Sequence, residues 1–243
     1  MKAIALTDKG LVRANNEDTV YCSVDKVGNI PSLFVVADGM GGAKAGEYAS
    51  EYTIRELVSQ IKNDRHRKDL PSIVRRGIEA ANAMLYKNSR SDPELAGCGT
   101  TLVCAMIADG CLTVFNVGDS RLYIISDHIK QITQDHSYVE EMVKKGRMVR
   151  GSQDYLSKKN LITRAIGTQK SVEIDSFSIE LNGDEKILLC TDGLSNMMND
   201  EDIFNIIQNS DSIEDAAKTL ISTANEHGGV DNVSVVLVSG LKE

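Results

Sequence analysis

Ten short apolar runs separated by turn residues restrict this chain to a fold rich in β-structure. The runs are four to ten residues long, and they lie at residues 2–6, 19–24, 33–37, 100–107, 111–117, 121–125, 129–132, 172–181, 186–190 and 233–238. Tight-turn sequences at 108–110 (ADG) and 182–184 (NGD) separate consecutive runs. Because such turns connect neighbouring antiparallel strands, the pattern predicts hairpins rather than βαβ units.

Four further segments have the apolar periodicity of amphipathic helices, at residues 46–62, 71–87, 200–208 and 213–226. The first two are expected to pair as a hairpin, as are the last two. Ser212, followed three residues later by Asp215, marks the start of the last helix. Two helix pairs separated by many strands predict the α+β class, as a four-layer αββα sandwich. Two antiparallel sheets then pack face to face, and a helix pair covers each outer side.

The length of 243 residues is sufficient for one domain with a large core, and we predict a single domain over residues 1–243. A segment at about 136–163 breaks the hairpin rhythm and is rich in Lys and Arg. We predict a short helix and an exposed segment there, and we refer to residues 136–163 as the flap.

Composition excludes several classes of protein. With 27 basic and 35 acidic residues the net charge is -8, which argues against a nucleic-acid surface. The apolar runs are far shorter than the roughly 20 residues that cross a bilayer. The first ten residues lack the apolar stretch of a secretory signal, and we predict a cytoplasmic protein.

Cysteine and histidine show no spacing typical of zinc or redox sites. The five cysteines include no C-x-x-C pair, and most lie inside apolar runs, so buried reduced thiols are expected. The histidines are predicted to be surface or loop residues rather than metal ligands; they are His66, His128, His136 and His227.

Three aspartates lie where predicted strands begin or end. Asp38 follows the run at 33–37 and precedes Gly39, and Asp192 follows the run at 186–190 and precedes Gly193. Asp231 lies just before the run at 233–238, at its entering end. Since the exit of one strand and the entry of its antiparallel neighbour share a sheet edge, the three carboxylates are expected to converge.

Converging carboxylates at the edge of an apolar sandwich repel one another, so they bind either protons or cations. A set of oxygen ligands without His or Cys favours Mg²⁺ or Mn²⁺. Gly39 has no Cβ, so its backbone carbonyl is able to approach such an ion. An Asp-Gly pair more often begins a turn. The repetition of the pair at Asp192 weakens that alternative.

A second cluster of charges precedes the run at 19–24. Arg13 offers a planar fork of donors that matches phosphate, and Glu17 and Asp18 add two carboxylates. Taken alone, these residues are better explained as a solvated turn. Asp119, between two predicted strands, is by itself also typical of a turn. Nucleotide-binding glycine patterns and the G-x-S-x-G motif are absent from the sequence.

Together these residues form seven motifs in a recognisable order. The motifs are Arg13-x-x-Asn16-Glu17-Asp18, Asp38-Gly39-Met40-Gly41-Gly42, Gly99-Thr100-Thr101, Gly118-Asp119-Ser120-Arg121, residues 162–167 (ITRAIG), Asp192-Gly193 and Asp231-Asn232. In this order they resemble the metal-dependent serine/threonine protein phosphatases (PPM family, type 2C). The chain is most similar to the compact bacterial branch, and the resemblance extends over essentially all residues.

The resemblance implies an αββα sandwich with two Mn²⁺ or Mg²⁺ ions. Asp38 would bridge both ions, Gly39 would offer its carbonyl to one, and Asp192 and Asp231 would bind the other. Glu17 would act through water and Asp18 would orient the ligands. Arg13 would hold the substrate phosphate, and Asp119 with Asp192 would form a weaker third metal site.

The same resemblance implies hydrolysis of phosphoserine and phosphothreonine monoesters by direct attack of a hydroxide that bridges the metals. The expected partners are proteins phosphorylated by a Ser/Thr kinase, and we assume a monomer. Met40 departs from the eukaryotic branch, which has a His at this position that is proposed as general acid.

Two alternatives remain open at this stage. One is a phosphohydrolase of small phosphomonoesters, and the other, less favoured, is a non-catalytic module that binds divalent ions. A basic set in the flap is either a contact for acidic phosphoproteins or a solvated charged loop; it consists of Lys144, Lys145, Arg147 and Arg150.

Overall fold

A computed structural model describes residues 1–42, 44–64 and 69–241 of the chain. Strands and helices alternate in blocks, as the sequence predicts. The strands are β1 (Lys2–Asp8), β2 (Asp18–Ser23), β3 (Leu33–Met40), β4 (Gly99–Thr100), β5 (Leu102–Ala108), β6 (Cys111–Val117), β7 (Arg121–Ile125), β8 (Ile129–Gln131), β9 (Asp175–Glu180), β10 (Lys186–Cys190) and β11 (Val233–Ser239). The α-helices are α1 (Ala45–Asn63), α2 (Leu70–Ser91), α3 (Tyr138–Lys144), α4 (Gln153–Lys158), α5 (Asp192–Ser195), α6 (Asp200–Asn209) and α7 (Ile213–Glu226).

The strands form two antiparallel sheets. One has the order β1-β11-β10-β7-β8, and the other has the order β2-β3-β5-β6-β9, with the short β4 paired to β3. The β5–β6 and β7–β8 connections are hairpins, the first as predicted from the turn sequence at 108–110. The predicted hairpin at 182–184 is wrong, because the two strands joined there, β9 and β10, lie in different sheets. The β10–β11 pair is antiparallel, with Cys190 opposite Val235, so the exit of β10 and the entry of β11 lie at the same sheet edge.

Three apolar layers separate the two sheets and the two helix pairs. One layer lies between the sheets and includes Phe34 and Val236. A second joins α1 and α2 to the sheet that contains β3, and a third joins α6 and α7 to the sheet that contains β11. The α+β, four-layer αββα sandwich predicted from the sequence is confirmed.

The alternation of side chains along β3 decides where Asp38 points. Leu33 and Val35 pack toward the helices, whereas Phe34 and Val36 pack between the sheets. Because successive strand residues face opposite sides, Asp38 lies on the same face as Val36. Its carboxyl group is therefore at the rim of the layer between the sheets.

Some element bounds differ from the prediction. β3 continues through residue 40 because β2 and β4 pair with it beyond Ala37. β9 is shorter than the predicted run at 172–181 and begins at Asp175; the backbone carbonyl of Ile174, just before it, accepts a hydrogen bond from the Arg75 side chain. α2 extends to Ser91, where polar contacts replace apolar periodicity: Asn88 donates to the Tyr48 hydroxyl at 2.9 Å.

The flap contains two short helices, α3 and α4, where one was predicted. Ser137 and Ser152 cap their N-termini through side-chain oxygens. A backbone hydrogen bond from Tyr138 to the Leu161 carbonyl (2.7 Å) joins the start of the flap to its end. The flap is thus closed at its base.

Cysteine behaves mostly as predicted, and histidine only in part. All five cysteines are free thiols; three are buried, and Cys22 and Cys111 are partly exposed. His128 and His227 are exposed, and His66 lies outside the described residues. His136 is in a loop, as predicted, but its side chain is buried within a hydrogen-bond network rather than exposed at the surface. Every helix among residues 1–42, 44–64 and 69–241 is too short or too polar to span a bilayer.

Candidate metal centre

Asp38 is held by its backbone on both sides. Its N–H donates to the Thr101 hydroxyl at 3.0 Å, and its carbonyl accepts from the Thr101 N–H at 2.9 Å and from the Thr100 hydroxyl at 2.8 Å. These bonds leave the carboxyl group available to the cavity that Asp38 lines. The strand and the two threonines therefore fix the position from which this carboxylate reaches an ion.

Asp18 lies opposite Asp38 in the β2–β3 pair and is almost fully buried between the sheets. Its Oδ2 accepts hydrogen bonds from the hydroxyls of Thr191 (2.8 Å) and Ser234 (2.7 Å), which belong to the other sheet. Its Oδ1 is buried without a hydrogen-bond partner among the described residues. A buried orphan oxygen of this kind fits a cation or an ordered water as its missing partner.

Asp192 and Asp231 are brought together by the antiparallel β10–β11 pair. Asp192 begins α5 directly after β10, and Asn196 donates to its Oδ2 at 2.9 Å. Asp231 precedes β11, and the Asn232 N–H donates to its Oδ1 at 2.9 Å. The convergence of these two carboxylates follows from the shared sheet edge. Asp38, by contrast, reaches them from the second sheet.

Arg13 is the cation at the rim of this cluster. Its Nη2 forms an ion pair with Asp231 Oδ2 at 2.8 Å, and its side chain is 51% exposed. Arg13 also lines the cavity, so its solvent-exposed side chain lies at the cavity together with the carboxylates.

Glu17 reaches the cavity from the loop before β2. Its backbone carbonyl accepts from the Gly39 N–H at 3.1 Å, and its carboxyl group lies so close to Gly46 that a Cβ there would be 2.5 Å from Oε2. Burial raises the pKa of Glu17. The absence of a side chain at Gly46 therefore provides the space that Glu17 occupies.

Asn232 is a positioning residue that sequence reasoning treated only as part of a motif. Its Nδ2 donates to the carbonyls of Lys9 (2.8 Å) and Asn15 (2.9 Å), and its Oδ1 accepts from the Glu17 N–H (2.8 Å). This one amide holds the loop that carries Arg13 and Glu17 against β11. The sequence feature that could have identified Asn232 is its position, as a polar residue directly before an apolar run.

The electrostatics of the cluster favour bound cations. Burial, followed by the neighbouring carboxylates, raises the pKa of Asp38 well above its ordinary value. Burial chiefly raises the pKa of Asp18 to about 7 and that of Asp119 to about 8, and Asp192 is shifted in the same direction. Without a cation, ionised forms of these groups are unfavourable together; a divalent ion reverses that preference.

A cavity of about 220 Å³ unites the predicted site residues. Seven of the eight line it: Arg13, Glu17, Asp38, Gly39, Asp119, Asp192 and Asp231. Asp18 lies behind it, bonded to Thr191 and Ser234. The remaining lining residues were not predicted as site ligands. Met40, Gly41, Thr101 and Ile162 lie within the sequence motifs, whereas Asn160 of the flap lies outside them.

The donor set fits a hard divalent ion, because it consists of carboxylate and backbone oxygens. Within the described residues, however, no three acidic, His or Cys side chains already surround a common ion position. The carboxylates would therefore have to turn inward to enclose an ion. The unpartnered oxygen of Asp18 and the raised carboxyl pKa values favour this rearrangement over a permanently metal-free cluster.

Comparisons with known proteins agree with this geometry. The family model described as protein phosphatase 2C matches residues 11–233. The serine/threonine phosphatase stp of Listeria monocytogenes is 35% identical over 244 residues, covering 98% of this chain and 95% of that protein. Protein phosphatase PhpP of Streptococcus pneumoniae is 34% identical over 245 residues, covering 98% and 97%.

Solved structures show the same likeness. Serine/threonine phosphatase Stp1 from Staphylococcus aureus has a TM-score of 0.91 at 34% identity, over 98% of this chain and 94% of that one. The catalytic domain of the serine threonine protein phosphatase PstP, in complex with two manganese ions, has a TM-score of 0.84 at 35% identity, over 97% and 96%. The chain therefore belongs to the protein phosphatase 2C family.

Proposed function

We propose that this protein hydrolyses phosphoserine and phosphothreonine monoesters of proteins and depends on two Mn²⁺ or Mg²⁺ ions, with a weaker third. The observation that carries the proposal is the convergence of five carboxylate side chains and Arg13 on one cavity. These are the charges that hold divalent ions and a phosphate dianion at one place. The names of the relatives, serine/threonine phosphatases, support the same substrate class.

In this proposal Asp38, the Gly39 carbonyl, Asp192 and Asp231 would hold the two ions. Glu17 would act through water, and Asp119 with Asp192 would hold the weaker third ion. Bound divalent ions would supply an activated water and compensation of phosphate charge.

Asp18 has a separate role, which is to position Asp38. It lies beside Asp38 in the sheet and is anchored by two hydroxyls from the opposite sheet. It thereby holds the two sheets together at the point where carboxylates from both must meet. Replacement of Asp18 is expected to disturb the site without removing a direct phosphate contact.

Arg13 binds the substrate phosphate. Its guanidinium is planar and remains charged at all relevant pH values, and its ion pair with Asp231 keeps one edge of the fork in place. Phosphate oxygens are then contacted by the exposed donors, so the charge that develops during hydrolysis is neutralised where it forms.

Met40 lines the cavity at the position where a general acid is proposed in the eukaryotic branch. A thioether has no proton to donate. The leaving alkoxide must therefore be protonated by another group or by water. Replacement of Met40 by Leu is expected to leave the pH dependence of turnover unchanged.

We also propose that the substrates are products of a Ser/Thr kinase and that the enzyme acts as a cytoplasmic monomer. The five free thiols fit a reducing compartment. Seven of the eight predicted site residues meet in one cavity within a single chain, which supports a centre that one copy completes.

The deciding experiment measures phosphate release from a phosphothreonine peptide and from an aryl phosphate, with Mn²⁺ and with EDTA. We expect Mn²⁺-dependent release that Asp38→Asn and Asp231→Asn each reduce by a factor of about 10³ or more, while the fold is retained. Asp109→Asn, at an exposed hairpin turn, is the matched control. Full activity of either site variant contradicts the assignment. Turnover of small phosphate metabolites but not of the peptide favours the phosphomonoester alternative.

A further inference from the structure

His136 is a buried histidine that the proposed reaction does not use. It lies at the start of the flap with about 7% of its surface exposed. Two hydrogen bonds connect it to one residue: the Gly118 N–H donates to His136 Nδ1 at 3.0 Å, and the His136 N–H donates to the Gly118 carbonyl at 2.9 Å. His136 is therefore bonded, through both its ring and its backbone, to the turn that follows β6.

These contacts define the tautomer of the imidazole. Because Nδ1 accepts a hydrogen bond, the ring proton is on Nε2, which donates to Asp175 Oδ2 at 3.1 Å. Arg164 Nη1 donates to the other oxygen of Asp175 at 2.8 Å. The same Nη1 is 3.0 Å from Nε2, and because Nε2 holds the ring proton it does not accept a hydrogen bond from Arg164. Burial lowers the pKa of His136, in agreement with a neutral ring.

The same residue holds the other end of the flap. The His136 carbonyl accepts from the Thr163 N–H at 2.8 Å, so the two ends of the flap meet at residue 136. The Gly118 turn, the beginning of the flap and its end are thus bonded to a single residue. Asp175 and Arg164 orient its imidazole ring from the outer side.

The Gly118 turn leads directly to the cavity. Asp119, the next residue, lines the cavity together with Asp38 and Asp192. The Ser120 hydroxyl is 2.7 Å from the Thr101 hydroxyl, which accepts the Asp38 N–H. Hydrogen bonds, together with the backbone of residues 118–120, therefore connect the base of the flap to the backbone of Asp38.

We propose that His136 is a positioning residue of the metal centre: its neutral imidazole fixes the turn at residues 118–120 through Nδ1, and so sets the place from which Asp119 reaches a divalent ion. The inference rests on the proposed role of Asp119 as a ligand of the weakest ion. Contacts at the base of the flap then change the affinity of the protein for that ion.

Three variants distinguish the role of Nδ1 from that of Nε2. In His136→Asn the Oδ1 atom is as many bonds from Cα as Nδ1 is, so it retains the acceptor for Gly118. In His136→Gln the amide nitrogen replaces Nε2 and retains the donor to Asp175, but the acceptor is lost. His136→Ala loses both. His128→Ala, at an exposed position in the β7–β8 hairpin, is the matched control.

The primary measurement is calorimetric titration of Mn²⁺ into each protein without substrate. We expect the affinity of the weakest site to fall about tenfold or more in the Ala and Gln variants and to stay within about threefold of wild type in the Asn variant. The Mn²⁺ concentration for half-maximal hydrolysis of an aryl phosphate should shift in parallel. Wild-type affinity in His136→Ala, or equal affinities of the Asn and Gln variants, overturns the proposal.

Amide exchange at Gly118 gives a readout that does not depend on activity. The Gly118 N–H should exchange faster in the Ala and Gln variants and remain protected in the Asn variant. If His136 serves only stability, all three variants will lower the melting temperature without changing Mn²⁺ affinity. That result contradicts the proposal.

Two measurements keep the test decisive if the His136 variants do not fold. In the wild-type protein, the nitrogen NMR spectrum of the imidazole should show the proton on Nε2, and a proton on Nδ1 refutes the proposal. Asp175→Asn should leave Mn²⁺ affinity within about threefold of wild type; a loss of about tenfold assigns the effect to the outer contact instead. Wild-type protein without Mn²⁺-dependent hydrolysis would refute the proposed function separately.

Discussion

Gly193 packs directly on the backbone of Asn232, and a Cβ at Gly193 would be 1.9 Å from the Asn232 carbonyl oxygen. Gly39, which follows Asp38, packs in the same way on the backbone of Gly46. A Cβ at Gly39 would be 2.1 Å from the Gly46 carbonyl oxygen. In each Asp-Gly pair the glycine allows a second segment of the site to approach closely.

Gly193→Ala should therefore disturb both the fold and the metal centre. The added methyl group forces β11 away from α5, and Asp231 moves with it, at a cost of about 2–3 kcal/mol typical of overpacking. We expect a lower melting temperature and weaker Mn²⁺ binding, measured by thermal unfolding and calorimetry. Gly42→Ala is the matched control, because a Cβ at Gly42 would meet no atom of the described, non-adjacent residues within 4 Å. Equal behaviour of the two variants contradicts the packing argument.

The sequence predicted the layers of the fold because amphipathic periodicity and turn residues are local signals. It also predicted that Asp192 and Asp231 lie near each other, since antiparallel neighbours share an edge. It did not predict that Asp38 approaches from the opposite sheet. That placement depends on how two sheets stack, and no local pattern encodes it.

Support for the site residues was harder to predict than the residues themselves. Asn232, Thr191 and His136 act through hydrogen bonds that join separate segments of the chain. Each is a lone polar residue without periodicity or spacing. In the sequence His136 is indistinguishable from a surface loop residue, because its burial depends on how the flap packs at its base.

Without metal, the protein should lose stability as the pH rises. Below about pH 4 Asp18 and Asp119 are protonated in both the folded and the unfolded chain; above it the unfolded chain releases these protons first, because the folded-state pKa values are about 7 and about 8. The folded state then binds more protons, so the free energy of unfolding falls with rising pH.

We expect a decrease of about 2 kcal/mol or more between about pH 5 and about pH 8 in EDTA, measured by urea unfolding. Mn²⁺ should remove or reverse this trend, because metal binding favours the ionised carboxylates. If the free energy of unfolding instead rises over this interval in EDTA, other groups of the metal-free protein compensate the charge of the carboxylates.

Thr191→Val should destabilise the protein by about 1–3 kcal/mol, with a larger effect at about pH 8 than at about pH 5. The substitution removes the Thr191 hydroxyl that donates to Asp18, and the remaining donor, the Ser234 hydroxyl, compensates the ionised carboxylate less well. Urea unfolding in EDTA at both pH values measures the difference. Thr191→Ser retains the hydroxyl and is the control. A pH-independent loss would assign the effect to the lost bond with the Ser234 N–H instead.

The basic residues of the flap are expected to divide into two groups. Lys144 donates to Gln134 at 2.8 Å and Lys145 pairs with Glu141 at 3.4 Å, both on the exposed face of the flap. Arg150 pairs with the buried Glu140, which also accepts from the Tyr155 hydroxyl at 2.8 Å. The first two interactions are surface contacts of small energy, whereas the third supports the packing of the flap.

We therefore expect the triple substitution of Lys144, Lys145 and Arg147 by Ser to change kcat/KM by less than about twofold, on an acidic phosphoprotein and on an aryl phosphate alike. Arg150→Ser should instead lower the melting temperature, since it leaves Glu140 without its ion pair. Steady-state kinetics and thermal unfolding separate the two effects. A decrease of about tenfold for the triple variant on phosphoprotein alone would identify these side chains as a substrate contact, because only a protein substrate is large enough to reach them.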